Sequence, residues 1–446
     1  MKRINVHISD VLGSRRMDVT YHKNNKGVKN FVHLSRYVDI KGGKRIPKGM
    51  SFSFEKTNYL YLRLSDISDI ENINYDDLKC ISEELYDKLK RYEIKKDQIV
   101  FSIAGTIGRV FLMKNIPEGK HIILTENCAM LLPKNDEVLP EYVSILLNCC
   151  FVQKQVEQNR IQTTIPKIGL DRISKIQIPV IPSPGVQQRI IGIYQEAINI
   201  KTKKKQESKR LLNSIGSILS KELKIAQITN IEEKQQPLIL NVSSIIGGRF
   251  DPIQFHSERM EMINQIKRGK WCYLKDVVDN EKKIVTSILR DDTYIGLENI
   301  DGETGEYVPI KEKESISSAT LFKNGDILFP KLRPYLNKVY RAEFDGCCST
   351  EFHIFQAHNI HPDFLTIVLR SNMVLAQTKH LMTGNTLPRL QTTDIDNLII
   401  PCPDMEIQEK IVGVISKTKN DAKQLQKEGN VLLEEAKQKI EKLIIG

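Results

Sequence analysis

The chain has 446 residues, of which 40% are hydrophobic and 27% charged, a composition typical of a folded protein rather than a disordered one. A chain of this length rarely folds around a single hydrophobic core, so two or more domains are expected. The formal net charge of +11 favours a polyanionic partner. No run of 18 apolar residues occurs, and the N-terminal segment lacks the apolar core of a signal peptide. We therefore expect a cytoplasmic protein that has no contact with a membrane.

Eight cysteines include two adjacent pairs, Cys149–Cys150 and Cys347–Cys348, but no C-x-x-C motif. Adjacent residues of a strand point to opposite faces, so such pairs suit neither an ordinary disulfide nor a zinc site. We predict reduced, mostly buried thiols and no bound metal.

Short segments of the chain recur in the same order about 230 residues further along, which indicates a tandem repeat. The stretch "KDQIVFSIAGTIGRVFLMKN" (residues 96–115) corresponds to "NGDILFPKLRPYLNKV" (residues 324–339). The other matched pairs are Arg16–His22 with Arg249–His256, Tyr59–Ile67 with Tyr294–Ile300, "LTEN" (124–127) with "STEF" (349–352), Leu139–Asn148 with His361–Ser371, Thr163–Ile168 with Asn385–Leu390, and Ile176–Ile193 with Leu398–Ile415.

Each repeat begins with a strand-rich segment and continues through one short helix, "PEYVSILLNCCFVQKQV" or "PDFLTIVLRSNMVLAQTKHL". A strand interrupted by prolines follows, and then a long polar helix. Pro184 and Pro403 stand where each long helix opens, a position at which proline is tolerated.

The two long helices carry narrow apolar stripes with charged flanks, the pattern of a coiled-coil seam. We predict that they pair antiparallel. The stripe comprises Val186, Ile190, Ile193, Ala197, Ile200, Leu211 and Ile218 in the first helix, and Ile407, Ile411, Val414, Thr418, Ala422, Leu425, Leu432, Ala436, Ile440 and Leu443 in the second.

The predicted fold class is α+β: two similar mixed α/β domains in a tandem pseudo-repeat, separated by two long antiparallel coiled-coil helices. We place the domains at residues 1–183 and 229–404 and the long helices at residues 184–228 and 405–446.

The order "GDILFPKLRPYLNKV…STEF", "GNTLPRL" and "IIPCPDMEIQEKI", with "IPVIPSPGVQQRI" in the first repeat, resembles the DNA-specificity subunits of type I restriction–modification systems. The resemblance covers nearly the whole chain twice. It implies two target-recognition domains that each bind one half of a split double-stranded DNA site, with the helices fixing the distance between halves. It also implies partners that carry the chemistry: two methyltransferase subunits and the restriction subunits, with S-adenosylmethionine, ATP and Mg²⁺ bound there and no cofactor in this chain.

The sequence shows no enzyme signature of its own, with neither a glycine-rich S-adenosylmethionine loop nor a phosphate-binding P-loop. An E-x-K pattern at Glu118–Lys120 and Glu232–Lys234 is expected by chance in a chain rich in these residues. We predict that the chain is not an enzyme by itself.

The loop after the apolar run Ile327–Phe329 is the strongest candidate for contacting DNA, because Pro330 and Pro334 break regular structure there. Arginine pairs with guanine, asparagine with adenine, and lysine with phosphate. The candidates here are Lys331, Arg333, Tyr335, Asn337 and Lys338. The alternative is a solvated edge strand protected by charge.

Further loops also carry polar and basic residues that could contact DNA, although each is also compatible with a solvated turn. The equivalent loop of the first repeat contributes Ser102, Thr106 and Arg109, next to glycines that permit close backbone approach. The additional candidates are Arg160, Gln162, Thr163, Thr164 and Lys167; Thr383, Asn385, Thr386 and Arg389; Lys41, Lys44 and Arg45; and Lys282 and Lys283. A basic run at Lys201–Arg210 on the first long helix is either a DNA-facing or a solvated surface.

Two alternative functions remain open from sequence. One is the specificity subunit of another methylase–nuclease or defence system, and the other is a scaffold that binds proteins and not DNA. The bases recognised, the spacer length and the stoichiometry do not follow from the sequence.

Overall fold

A computed structural model describes residues 31–67, 73–161, 166–226, 252–280, 283–286, 293–309, 318–384 and 386–445. These residues form two compact units. The first unit comprises the described residues up to Lys203 and those from Glu428 onward, and the second comprises those between Lys204 and Lys427. The repeat segment Arg16–His22 and the start of its partner segment lie outside the described residues.

The first unit contains ten strands and four short helices among its described residues. The strands are β1 Phe31–His33, β2 Val38–Gly42, β3 Tyr59–Leu62, β4 Lys79–Cys80, β5 Glu93–Ile94, β6 Ile99–Ser102, β7 Val110–Leu112, β8 His121–Leu124, β9 Cys128–Pro133 and β10 Gln177–Pro179. The helices are α1 Glu83–Leu89, α2 Pro140–Leu147, α3 Cys150–Asn159 and α4 Leu170–Ser174, followed by the long helix α5 Pro184–Leu223.

The second unit also contains ten strands and four short helices among its described residues, but its first helix precedes the strands, whereas α1 lies between β4 and β5. Its strands are β11 Trp271–Tyr273, β12 Val278–Asn280, β13 Ile284–Val285, β14 Tyr294–Ile295, β15 Ala319–Phe322, β16 Ile327–Pro330, β17 Tyr340–Arg341, β18 Gly346–Cys348, β19 Phe352–Ala357 and β20 Ile399–Pro401. Its helices are α6 Ser257–Lys267, α7 Pro362–Leu369, α8 Asn372–Thr378 and α9 Thr392–Asp396, followed by the long helix α10 Met405–Ile445.

Each unit contains two four-stranded sheets, and one of the two has the same strand order in both units. This sheet has the order β2-β9-β6-β7 in the first unit and β12-β19-β16-β17 in the second. In the other four-stranded sheet, the parallel pairs β3–β8 and β14–β18 are equivalent, but the fourth strand joins opposite edges, as β4 beside β3 and β13 beside β15. The tandem repeat predicted from sequence is therefore confirmed at the level of strand order.

The strand before each candidate loop is buried on both faces. In β16, Ile327 and Phe329 belong to one apolar cluster and Leu328 belongs to another. In β6, Phe101 and Val100 divide between two clusters in the same way. Because both faces are covered, the strand sequence is continuously apolar rather than alternating. Such a strand gives the polar loop that follows it a rigid base.

The short helix predicted in each repeat is in fact two helices. α2 and α3 are separated at Asn148–Cys149, and α7 and α8 at Arg370–Ser371. Ser371 caps α8 by accepting a hydrogen bond from the Met373 N–H at 3.3 Å. This break was missed because the apolar residues continue across it.

A buried glutamine fixes the start of each long helix. The Gln187 side chain accepts from the Leu139 N–H at 2.9 Å and donates to the carbonyls of Glu137 and Pro182 at 2.7 and 2.8 Å. Gln408 accepts from the His361 N–H at 2.8 Å in the same way. A buried amide that uses its donor and acceptor holds one geometry. The glutamine in the repeated helix sequence is therefore structural.

The buried side of each long helix is rotated from the predicted stripe. Ile190, Ala197, Ile411, Ala422 and Ile440 are buried as predicted. The predicted stripe members that are exposed instead are Val186 at 41%, Ile200 at 36%, Ile407 at 40%, Val414 at 39% and Leu443 at 54%. Val186 and Ile407 immediately precede the clamped glutamines, which turn inward and so direct their neighbours to solvent.

The long helices pack antiparallel within each unit. In the first unit, Gly429 lies against Lys201 so closely that a Cβ there would be 3.3 Å from the Lys201 Cα. In the second unit, Gln426 donates to the Ser208 hydroxyl at 3.0 Å, and Lys410 pairs with Glu222 at 2.7 Å. As residue numbers rise along α5, those of its partners on α10 fall.

All eight cysteines lie among the described residues and none forms a disulfide. Burial raises the pKa of the Cys128, Cys149 and Cys348 thiols to about 12, so these groups stay protonated. Cys150 is the exposed exception to the predicted burial. No helix among the described residues is long and apolar enough to cross a membrane.

Candidate nucleic-acid interface

Two polar loops lie side by side in each unit. We call them the paired loops: residues 102–109 with 159–167 in the first unit, and residues 330–338 with 382–389 in the second. In the second unit, the Arg333 N–H donates to the Pro388 carbonyl at 2.8 Å. In the first unit, the Gly105 N–H donates to the Pro166 carbonyl at 3.0 Å. The structure thus brings together candidate residues that lie more than 50 positions apart in sequence.

The residue after the loop proline has the same place in both units. Lys167 forms antiparallel bridges with Ala104 and Ile161, and Arg389 does so with Leu332 and Thr383. Both basic side chains are exposed. A cation therefore stands at the junction of the paired loops in each unit.

Arg333 has an unusual backbone. It adopts the left-handed conformation, with φ of 49°, and its equivalent in the first unit is Gly105, with φ of 74°. Non-glycine residues rarely take this conformation, which is held here by the loop pairing. One guanidinium nitrogen of Arg333 makes only a long hydrogen bond of 3.4 Å, to the Thr386 carbonyl, and its Nε is buried with no partner. The hydrogen-bond donors of the Arg333 side chain are therefore only partly used within the domain.

Two predicted DNA contacts are used inside the domain. The Arg109 guanidinium donates to the Ile67 carbonyl at 2.7 Å, and the Lys338 ammonium donates to the Leu297 carbonyl at 2.7 Å. Arg109 and Lys338 precede equivalent strands. The acceptor of Arg109 directly follows the 3₁₀ turn Leu64–Asp66, and the acceptor of Lys338 is the first residue of the equivalent turn Leu297–Asn299. These two basic residues anchor the paired loops to the body of the domain.

Asn337 is also held within the fold. Its side-chain Nδ2 donates to the Arg370 carbonyl at 3.0 Å, while Arg370 Nη1 donates to the Asn337 carbonyl at 2.8 Å. Arg370 also donates to the carbonyls of Val339, Gly302 and Glu303 at 3.0–3.1 Å. Burial lowers the pKa of Arg370 to about 10, still well above neutrality. The sequence offered no signal that Arg370 fixes this loop.

Ser102 is buried rather than exposed. Its hydroxyl donates to the Thr106 carbonyl at 2.6 Å and accepts from the Arg109 N–H at 2.8 Å. The hydroxyl closes the turn and is not available to DNA. Thr106, on the outside of the same turn, is exposed.

The end of β2 and the loop after it present cations beside the first pair of loops. Lys41 and Lys44 are exposed, and the Arg45 Nε pairs with the Glu126 carboxylate at 2.7 Å. A Cβ at Gly43 would lie 2.1 Å from the Thr125 carbonyl oxygen, so only glycine fits where this loop crosses the next turn. In the second unit, Lys283 is exposed in the equivalent connection.

Two carboxylates that the sequence analysis did not name orient arginines near the candidate loops. Glu126 pairs with Arg45, and Glu351 accepts from Arg389 Nε and Nη2 at 3.1 and 2.8 Å. The hydrogen bonds from Arg389 lower the pKa of Glu351, so this carboxylate is ionised at neutral pH. A bidentate pair of this kind fixes the plane of a guanidinium.

The matched segments "LTEN" and "STEF" are offset by one position in the structure. The Thr125 N–H bonds the strand partner Leu62, and the Ser349 N–H bonds Ile295, which makes Thr125 and Ser349 equivalent. Glu126 and Glu351 are therefore one position apart when the strands are aligned. The sequence match paired them because they are the same residue type.

The remaining candidates have varied surroundings. Lys331 donates to the Thr350 carbonyl at 2.7 Å, Arg160 pairs with Glu157 at 2.8 Å, and Thr383 bonds the Arg389 carbonyl at 3.3 Å. Tyr335 and Thr386 are exposed. Gln162, Thr163, Thr164, Lys282 and Asn385 lie outside the described residues.

One group within the described residues has the composition of a metal site: His256, Glu258 and His380. The imidazole rings stack at 3.7 Å, and Glu258 pairs with His380 at 3.1 Å and with Lys379 at 3.0 Å. His256 also caps α6 by accepting from the Glu258 N–H at 3.3 Å. An ammonium on the carboxylate and a capping bond on one imidazole fit a connection between α6 and α8 better than a cation site.

The family model for the type I restriction modification DNA specificity domain matches residues 26–212 and 263–435, once in each repeat. The specificity subunit of the type I restriction enzyme EcoDI from Escherichia coli is 24% identical over 267 residues, which are 58% of each chain. The chain thus spans less than two thirds of that relative. The MjaVIII specificity subunit from Methanocaldococcus jannaschii is 22% identical over 370 residues, 79% of this chain and 78% of the relative.

Among solved structures, the type I restriction–modification S subunit from M. genitalium aligns over 96% of this chain and 99% of its own, with 13% identity and a TM-score of 0.40. The family assignment follows from the two matches of the family model, which together cover most of the sequence and coincide with the two structural repeats. The chain belongs to the type I restriction–modification DNA specificity family.

Proposed function

We propose that this chain recognises a split double-stranded DNA site, with one half bound by each unit. The supporting observation is that equivalent elements bring equivalent paired loops together in both units, while the exposed side chains on those loops differ. Sequence-specific recognition requires such variation at positions that face base edges. Net charge of +11 adds the general attraction that phosphates require.

In this proposal the long helices set the distance between half-sites. α5 has 40 residues and α10 has 41, and each begins in one unit and ends in the other. At ~1.5 Å per residue each extends about 60 Å. Such a pair resists bending better than a loop, so a fixed non-specific spacer is expected.

The chain also acts as a scaffold in this proposal, binding methyltransferase and restriction subunits that supply S-adenosylmethionine, ATP and Mg²⁺ chemistry. It would carry out no catalysis itself. Assignment to a type I system rather than a related one would follow from an ATP-dependent translocase among its partners.

Methylome sequencing of cells that carry this gene with its partners tests the proposal most broadly. We expect a methylated motif in two parts with a constant spacer. The purified chain should also bind duplex DNA with a steep salt dependence, because each phosphate contact releases counterions. Affinity that stays flat between low and physiological salt would instead favour a protein-binding scaffold, and Mg²⁺-dependent cleavage by the isolated chain would indicate a nuclease.

A further inference from the structure

One position at the base of the paired loops is an amide in the first unit and a carboxylate in the second. The Asn127 carbonyl accepts from the Ile103 N–H at 2.8 Å, and the Glu351 carbonyl accepts from the Lys331 N–H at 2.8 Å. Ile103 and Lys331 both directly follow the buried strand of their unit, β6 or β16. Asn127 and Glu351 are therefore equivalent.

A cation lies next to this position in both units. The Ala104 N–H donates to the Asn127 carbonyl at 3.3 Å, and Ala104 also forms the antiparallel bridge with Lys167. Lys167 and Arg389 are equivalent, as their bridges show. We call the two sets the junction pairs: Asn127 with Lys167 in the first unit, and Glu351 with Arg389 in the second. The same two positions thus carry different chemistry in the two units.

In the second unit the junction pair is a bidentate ion pair. Glu351 accepts from Arg389 Nε at 3.1 Å and from Nη2 at 2.8 Å, so both carboxylate oxygens are used. The Arg389 side chain is 44% exposed and that of Glu351 is 29% exposed. Because a guanidinium is planar, this geometry leaves the edge formed by Nη1 and Nη2 pointing away from the carboxylate.

The backbone that carries this pair is fixed as well. Arg389 exchanges two hydrogen bonds of 2.9 Å with Thr383, and the Glu351 N–H donates to the Ser349 hydroxyl at 3.2 Å. Both partners of the ion pair therefore start from ordered positions. A guanidinium held in one plane before binding loses less conformational entropy when it meets a ligand.

The charge of Glu351 has the opposite sign to what general DNA binding requires. Hydrogen bonds from Arg389, and the nearby Lys331 ammonium, lower the pKa of Glu351, so the carboxylate is charged at neutral pH. A carboxylate at this place repels phosphates and offsets the charge of Arg389. In the first unit Asn127 is uncharged, so it does not neutralise Lys167. A group that lowers attraction to all DNA while fixing a base-reading donor raises specificity.

We propose that Glu351 is a specificity-determining residue, which aims Arg389 at one guanine of the second half-site and withholds its charge from phosphates. Arginine recognises guanine through two parallel donors to O6 and N7. In the first unit, the equivalent Lys167 serves as a phosphate contact. This inference rests on the proposed function and names the residue that converts a general cation into a base contact.

The test compares Glu351→Gln and Arg389→Lys with a control, Glu434→Gln, which removes the same charge from the Glu434–Lys437 pair on α10. Binding of the full chain is measured by fluorescence anisotropy on duplexes with the methylome-derived motif, its single-base variants and a random sequence, over a salt series. We expect Glu351→Gln to bind random DNA about fivefold more tightly at low salt and to raise the salt slope by about one. Its discrimination at one base pair of the second half-site should fall about tenfold.

Arg389→Lys keeps the charge but not the planar donors, so it should relax the same base pair without changing the salt slope. Glu434→Gln should leave discrimination unchanged. In the first unit, Lys167→Ala should lower the salt slope by about one and relax no base pair. Introducing the second junction pair there, with Asn127→Glu and Lys167→Arg together, should also lower the slope by about one, because the new carboxylate offsets the cation.

Unchanged discrimination in both Glu351→Gln and Arg389→Lys would overturn the inference. Weaker binding of Glu351→Gln to every duplex, together with a lower Tm, would also overturn it and give Glu351 a structural role only. If the wild-type chain shows no salt-dependent DNA binding, the proposed function itself fails, and this outcome is distinct from failure of the junction pair alone.

Discussion

The loop after β6 in the first unit and the loop after β16 in the second are anchored at equivalent places, but they differ in side chains, and only the second contains a 3₁₀ turn, at Pro334–Leu336. The first turns through Gly105 and Gly108, and the second through Arg333 and Asn337, all four with positive φ. Arg109 and Lys338 then donate to backbone carbonyls at equivalent 3₁₀ turns. The comparison separates two kinds of residue: anchors that keep their role in both units, and exposed positions that vary. Recognition can change at the second kind without disturbing the first.

The largest effect is expected from shortening the long helices, because in the proposed function they set the distance between the half-sites. We predict that deleting Lys203–Lys209 together with Lys423–Gly429 abolishes methylation at the wild-type motif and creates a motif with a shorter spacer. The deleted segments are equal in length and contain Ser208, Gln426 and Gly429, three of the residues through which the two helices contact each other. Methylome sequencing gives the result.

Both half-sites should be unchanged in that deletion, since neither set of paired loops is touched. A changed half-site with the original spacer would show that the helices do not determine the distance. Deletion of one segment alone serves as the control, because it leaves the two helices unequal and should impair recognition altogether.

The next largest effect is expected from Arg370, which donates to four backbone carbonyls, one of them that of Asn337 in the loop 330–338. We predict that Arg370→Ala costs about 3 kcal/mol of stability in the second unit, because buried carbonyls lose a charged donor. It should also abolish discrimination at the second half-site while sparing the first. Thermal unfolding and binding to single-base variants measure the two effects.

Arg268→Ala, at an exposed arginine of the same unit, is the matched control. Arg370→Lys keeps a charge but not the planar set of donors, so it should restore stability better than discrimination. Equal loss at both half-sites in Arg370→Ala would mean that the units are not independent.

Arg333 sharpens the comparison, because its equivalent in the first unit, Gly105, has no side chain. If the Arg333 guanidinium pairs with a guanine, Arg333→Ala should cost about 1–3 kcal/mol and relax one position of the second half-site. Binding across single-base variants decides this. Wild-type affinity with an unchanged motif would indicate that Arg333 and its basic neighbours only protect a solvent-exposed sheet edge.

A smaller and different effect is expected from Lys331, whose ammonium is near the loop surface on the Thr350 carbonyl. As a phosphate contact, Lys331→Ala should weaken binding to all sequences alike and lower the salt slope by about one. Loss confined to the cognate motif would instead assign Lys331 to base recognition.

Much of the fold could be predicted because the repeat constrains it twice. Two copies of the same order of strands, helices and prolines exclude most alternative topologies, and the matched family model agrees. The helix rotation was wrong at Val186 and Ile407, because a polar residue, Gln187 or Gln408, occupies the buried position. Apolar periodicity alone does not identify a buried amide whose hydrogen bonds are made by distant backbone.

The candidate interface was harder to predict, because the sequence does not show which distant backbone groups a polar side chain contacts. The sequence does not distinguish a lysine or arginine that binds a phosphate from one that binds a carbonyl of its own chain, and in the structure Arg109 and Lys338 donate to such carbonyls. Glu126 and Glu351 were missed because acidic residues are not expected near DNA, yet each orients an arginine. The predicted domain boundaries and the DNA contacts themselves stay predictions.

The central claim is that the two units are separate recognition modules on one scaffold. Its most direct test replaces residues 271–403 with residues 31–182, the equivalent span of the first unit, and maps the methylated motif in cells with the partner subunits. The account predicts a motif in which both halves carry the first half-site, at the wild-type spacing. A motif that still contains the second half-site would contradict it.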